Sequence, residues 1–189
     1  MASPIYLSFL AANIAAASKG VQPPYVTAEG FLLFGMNIGG TGAILGIAIA
    51  MLTAKSKRYK ALGRMSIMPS IFGISEPIMF GFPIVLNPIL SIPFIIVPLV
   101  LQVATYFLMY FNIIGRVIAQ GPWTTPPVIS GFLITGGDWR AALWQGIELL
   151  VAILAYLPFF RIADKQACIQ EELDEKEQAE AGVTSAVEA

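Results

Sequence analysis

The chain is built from long uncharged runs separated by short charged clusters. Residues 31–54 carry no charge over 24 positions, enough helix to cross a hydrocarbon layer of ~30 Å. Gly35 and Gly39 are four apart, as are Gly42 and Gly46. On a helix each pair shares a face and admits a close neighbour. The run ends in Lys55, Lys57, Arg58, Lys60 and Arg64. Bases flanking a span stay in the cytoplasm, so the pattern predicts a span running outside to inside. Between Arg64 and Arg116 the only formal charge is Glu76, and Pro69, Pro77, Pro83, Pro88, Pro93 and Pro98 punctuate the stretch. Each proline removes a backbone donor and crowds the preceding turn. In lipid the freed carbonyls need protein partners, so repeated breaks predict backbone lining an enclosed cavity. A re-entrant element over 65–80 and a kinked span within 85–110 follow.

The segment 120–139 is short and interrupted, an irregular and partly buried piece. Residues 142–160 form a last span, with Trp139 and Trp144 at one end and Tyr156 and Arg161 at the other, a pattern suited to interfacial anchoring. Residues 5–17 are apolar but too short for a span, and no charged segment precedes them as in a signal peptide. The expected fold is an all-α polytopic membrane protein with transmembrane helices, a re-entrant hairpin and proline-broken helices.

Composition strengthens that picture. Hydrophobic residues make up 57% and charged residues 12% of 189, about half the share of charge in soluble domains. A soluble domain of this length cannot bury so much apolar surface. With no His and one Cys, there is no His-based triad, no His metal site, no internal disulfide and no zinc cluster. No metal or cofactor is expected. The net charge of -1 hides a division: residues 1–163 hold nine bases against four acids, and residues 164–189 hold eight acids against two bases. The chain thus divides into a membrane body, 1–163, and an acidic, polar tail, 164–189, solvated and helical near 167–180. With Arg161 and Lys165 on the positive side the tail is cytoplasmic. The basic cluster abuts a span, which disfavours nucleic acid as a partner.

Glu76 is the leading candidate for chemistry. It lies amid apolar sequence in Gly73-Ile74-Ser75-Glu76-Pro77, and intramembrane carboxylates are costly and usually functional. A carboxylate accepts two sugar hydroxyls, and when buried it can serve as general base. The competing reading has Glu76 pairing with a base or with backbone amides to hold a hairpin together. Trp123, in Pro122-Trp123-Thr124-Thr125-Pro126-Pro127, has two equal readings. Its indole stacks on a pyranose with Thr124 nearby, or it belongs to an interfacial belt. Asn87, before Pro88, caps a broken helix or bonds a sugar, and capping is the stronger reading. Glu148 lies midway along the last span, where an ion pair or a wet cleft is a better explanation than a site.

Residues Gly73-Ile74-Ser75-Glu76-Pro77-Ile78-Met79-Phe80-Gly81-Phe82-Pro83-Ile84-Val85-Leu86-Asn87-Pro88 resemble the signature of the phosphotransferase-system permeases. The match is to the enzyme IIC component of the lactose/cellobiose/diacetylchitobiose type. Asn37-Ile38-Gly39-Gly40-Thr41-Gly42-Ala43, Pro122-Trp123-Thr124-Thr125-Pro126 and Thr135-Gly136-Gly137-Asp138-Trp139-Arg140 resemble further segments of that family, in order, from about residue 3 to residue 161. The resemblance implies a homodimeric channel in the bacterial inner membrane, with about ten spans and two re-entrant hairpins. It moves a β-linked disaccharide while a cytoplasmic IIB partner, supplied by IIA, phosphorylates it. Glu76 takes the role of the family's Glu-Pro carboxylate at the sugar hydroxyl, and Trp123 that of a stacking aromatic. Ser75 stands where the family commonly has Asn or Thr, a mild departure.

The resemblance also implies that a complete member is more than twice as long. Its substrate-contacting His lies in a Gly-Ile-His-Gly type segment just before the stretch matching Ser3-Pro4-Ile5-Tyr6-Leu7. The chain is therefore expected to be the C-terminal portion of a permease, lacking an N-terminal half, with no independent catalysis. The alternative is a non-transporting remnant or membrane interaction subunit. An intramembrane hydrolase built on Glu76 lacks a partner acid or metal ligand at suitable spacing.

Overall fold

A computed structural model describes residues 4–82, 84 and 88–187, with side chains described to residue 178 except at residue 88. All regular structure among them is helical. In chain order the helices are α1 Pro4–Ser18, α2 Ile44–Met51, α3 Lys57–Ile71, α4 Glu76–Gly81, α5 Pro88–Tyr110, α6 Ile129–Ile134 and α7 Trp139–Val187. Two of them, α5 over Ile89–Tyr110 and α7 over Trp139–Gln178, contain windows long and apolar enough to cross a membrane.

The expected span over 31–54 does not form as one helix. Single 3-10 turns occupy Phe31–Leu33 and Gly35–Asn37, and only the eight residues of α2 are α-helical. The cause is the Gly39–Gly42 turn, where Gly39, Gly40 and Gly42 take φ of +70°, +109° and +83°, followed by Ala43 at +54°. Left-handed backbone of this kind ends a right-handed helix and is cheapest at glycine. The paired glycines therefore do not share one helical face. Close approach persists at Gly46, where an added Cβ would lie 3.0 Å from Ala152 of α7.

Residues 65–80 are helical on both sides of a turn. α3 ends at Ile71, the chain reverses through Gly73, and α4 begins at Glu76. α5 keeps Pro93 and Pro98 inside one 23-residue helix. The irregular segment 120–139 holds only the single short helix α6.

The last span and the tail are one helix. α7 runs through 49 residues and through residue 164 without a break, about 74 Å at 1.5 Å per residue. Its far part is not wholly solvated. Asp164 is buried and accepts bonds from the backbone N–H groups of Lys55 (2.9 Å) and Ser56 (3.0 Å). Glu171 accepts from Ser56 Oγ at 2.6 Å and from the N–H groups of Lys57 (3.1 Å) and Arg58 (3.0 Å). Two acids of α7 thereby satisfy the free N–H groups at the start of α3.

Two apolar cores result. One packs α2 against α5 and α7 around Ile44, Ile47, Met51, Leu101, Tyr156 and Phe160. The other gathers Leu10, Phe31, Phe34, Met109, Val117 and Ile134. The cavities described next lie along the segment that links them.

Candidate functional site

Glu76 opens α4, with Pro77 behind it in the first turn, where a proline costs nothing because that N–H has no helical partner. The preceding turn depends on Gly73, whose φ is +79°. A Cβ there would come within 2.8 Å of the Trp123 carbonyl oxygen. The absence of a side chain at Gly73 thus lets the Trp123 loop lie against the Glu76 turn, though the two are fifty residues apart in sequence.

The result is a cavity of about 260 Å3 whose wall includes Ser75, Glu76, Trp123, Asn37 and Thr41. It adjoins a larger cavity of about 840 Å3, whose wall includes Tyr6, Glu29, Gln120 and Trp123. Leu33, Asn37 and Trp123 belong to both walls. The Glu76 side chain is exposed in this cleft. Among the described residues it has no ion pair and no side-chain hydrogen bond, so neither form of the hairpin-tie reading is seen. Ser75 is buried beside it. Trp123 is 66% exposed, leaving its ring free to cover a ligand.

The structure brings Ser75, Glu76 and Trp123 together on one cavity. Thr124 is half-buried and outside both walls. Asn87 lies outside the described residues. Glu148 is fully buried away from the cleft. Its Oε1 accepts from Gly35 N–H at 3.2 Å and from Thr105 Oγ1 at 2.5 Å. Sequence reading did not single out Asn37, Thr41, Glu29 or Gln120. The signal for the first two was present, because both lie in the Asn37–Gly42 motif.

A carboxylate, a hydroxyl, an amide and an open indole around a cleft are groups that bind a polyol. The carboxylate and amide take hydroxyl hydrogen bonds, and the ring takes a C–H face. Among the described residues no cluster of three His, Cys, Asp or Glu could hold a metal ion.

A family model described as "Phosphotransferase system, EIIC" matches residues 1–98. The chain belongs to that family. It is 42% identical over 171 residues to the "Lichenan permease IIC component" of Bacillus subtilis (strain 168), an alignment covering 89% of this chain and 38% of that one. It is 41% identical over 185 residues to the "PTS system cellobiose-specific EIIC component" of Geobacillus stearothermophilus, covering 96% and 41%. The solved structure of the transporter ChbC, the IIC component from the N,N'-diacetylchitobiose-specific phosphotransferase system, superposes with a TM-score of 0.87. That match has 41% identity and covers 90% of this chain and 40% of ChbC. This EIIC chain therefore spans about two fifths of the length of these relatives. Its helical fold is that of a membrane transporter of this family, and the Glu76 turn lies inside the 1–98 match.

Proposed function

We propose that this EIIC chain forms part of the channel and binding site for a β-linked disaccharide that a IIB partner phosphorylates. The observation that carries the reading is the shared cavity of Glu76, Ser75 and Trp123. In this reading Trp123 stacks on a pyranose ring, and Ser75 and Glu76 accept hydroxyl hydrogen bonds. Glu76 takes the hydroxyl proton as that oxygen attacks the phosphoryl group carried by IIB. The sugar class is supported by the relatives, which are named for cellobiose, lactose and diacetylchitobiose. The IIB partner is supported by a relative named as a lactose-specific EIICB component, from Staphylococcus epidermidis. IIA upstream of IIB, a homodimeric assembly and a further N-terminal IIC portion complete the reading.

The same reading makes α3, its turn and α4 a re-entrant hairpin carrying Glu76 into a multi-pass domain of the bacterial inner membrane. Residues 1–163 then form the membrane domain, and 164–189 form a cytoplasmic extension. The bonds from Lys55 and Ser56 to Asp164 support this orientation. They hold the basic cluster of residues 55–64 and the Arg161–Lys165 region at one end of the molecule, and basic ends stay inside.

The test is sugar uptake with phosphorylation in cells expressing the chain with the N-terminal portion of a cellobiose-specific relative. Glu76→Gln keeps the shape and removes the proton acceptor. Phosphorylation is expected to fall at least about 100-fold, the usual scale for losing a general base. A Gln variant as active as the parent removes Glu76 from the site, and absence of disaccharide binding in every pairing removes the transport reading.

A further inference from the structure

The segment 31–37, which runs along both cavities, is neither α-helix nor strand. Two 3-10 turns flank an extended Phe34. Only isolated turns pair its backbone, Phe34 N–H with Phe31 O and Asn37 N–H with Phe34 O, and the other buried polar backbone groups must find partners elsewhere. Three buried side chains supply them. Gln102 of α5 donates from Nε2 to Phe31 O at 3.1 Å and accepts at Oε1 from Met36 N–H at 3.1 Å. Glu148 of α7 accepts from Gly35 N–H. Gln145, one helical turn earlier, donates from Nε2 to Leu33 O at 3.1 Å.

Gln145 also reaches the opposite wall. Its Oε1 accepts from Val128 N–H at 2.8 Å, Gly131 N–H at 2.7 Å and Ser130 Oγ at 3.0 Å. These residues follow the Trp123 loop and begin α6. One fully buried amide therefore ties the Leu33 wall to the chain leaving Trp123. Neither Gln145 nor Gln102 lines either cavity.

We propose that Gln145 is a positioning residue that sets the separation of the two cleft walls, with Gln102 and Glu148 fixing the Leu33 wall behind it. The inference rests on the sugar-site reading for the identity of the ligand. The geometry itself is testable without a ligand. Replacing Gln145 by Leu keeps the bulk and leaves Leu33 O, Val128 N–H and Gly131 N–H unpaired, so both walls are released. Replacing Gln102 by Leu frees only the Leu33 wall.

The experiment uses the full chain in lipid nanodiscs, with Cys168→Ser and spin labels on cysteines at Leu32 and Thr124. Electron–electron double resonance then reads the distance between the walls. A single narrow distribution is expected for the parent, a broadened or shifted one for Gln145→Leu, and an intermediate one for Gln102→Leu. Phe160→Leu, in the other apolar core, lowers thermal stability and leaves the distribution unchanged, which separates positioning from general destabilisation. On unlabelled chain, cellobiose affinity is expected to weaken about tenfold in Gln145→Leu and to stay within twofold in Phe160→Leu. Unchanged distances in Gln145→Leu, or unchanged affinity, overturn the inference. If Gln145→Leu does not fold, Gln102→Leu is decided by the same two readings. If the parent binds no disaccharide, the sugar reading fails and the distances alone decide the positioning role.

Discussion

Trp123 carries its exposure because of what holds its backbone. Gly73 on one side leaves room for the Trp123 carbonyl, and helix-breaking prolines flank the residue in sequence. The loop is fixed while the ring is free, which suits a stacking platform. Trp123→Ala is expected to weaken cellobiose binding about tenfold, the scale of a lost aromatic stack, and Trp123→Phe to keep most of it. Isothermal titration in nanodiscs measures both, and equal affinities across the three chains would make Trp123 an ordinary exposed ring. Of the proposed site, Glu76 was legible as a charge amid apolar sequence, Trp123 as an indole between helix breakers, and Ser75 only through the resemblance of the Gly73–Pro88 run. Asn37 and Thr41 were overlooked although they lie in the Asn37–Gly42 motif, because their polarity is sparse inside a long uncharged run. Gln102 and Gln145 were also silent, since what they hold is backbone, and backbone partners leave no trace in side-chain pattern.

At the scale of elements, the sequence pattern located α5 and the apolar part of α7 well and misread residues 31–54. Hydropathy measures whether a segment tolerates lipid, not whether its φ angles permit a helix. Three glycines in the left-handed region decide against one here. The acidic tail is helical and largely exposed as its composition suggests, but Asp164 and Glu171 depart from a solvated run, because a charge run reads as solvated until a helix terminus needs acceptors. The start of α3 supplies that need. Asp164→Ala strips the buried Ser56 N–H and the partly buried Lys55 N–H of their acceptor and is expected to cost about 1–3 kcal/mol, read as a lower thermal midpoint in detergent. Glu171 behaves differently because it is near the surface. The Ser56 hydroxyl, then the Arg58 and Lys57 N–H groups, hold its carboxyl below the ordinary value of 4.5. Its contribution is therefore complete above pH 4.5 and is lost only as pH falls through the lowered value. The Lys57 and Arg58 amide proton shifts should titrate together with a midpoint below 4.5. A midpoint at or above 4.5 would mean that Glu171 does not cap α3.

At the scale of the whole molecule, apolar side chains on the outside are organised. α5 exposes Ile92, Ile95, Ile96, Leu99 and Val103, and α7 exposes Leu143, Ile147, Leu150 and Leu154, each set spaced three to four residues apart along one face. Stripes of this kind would be an aggregation hazard in water, and in a bilayer they are the surface a spanning helix presents. Both stripes lie on the helices whose apolar windows are long enough to cross. The buried polar network of Gln102, Gln145 and Glu148 lies on the other faces of these helices, where protein rather than lipid meets its polar atoms. The membrane reading therefore predicts a specific contrast in accessibility. Spin labels at Leu99 and Leu150, in chain reconstituted in bilayers, should relax strongly with dissolved oxygen, which concentrates in hydrocarbon, and weakly with a water-soluble nickel chelate. A label on the tail at Glu172, which is exposed and beyond the apolar part of α7, should show the reverse. If Leu150 responds to the nickel complex as Glu172 does, α7 does not cross at residues 142–160. The exposed stripe would then have to be covered by protein, in this chain's partners or in the further three fifths of length that its relatives possess.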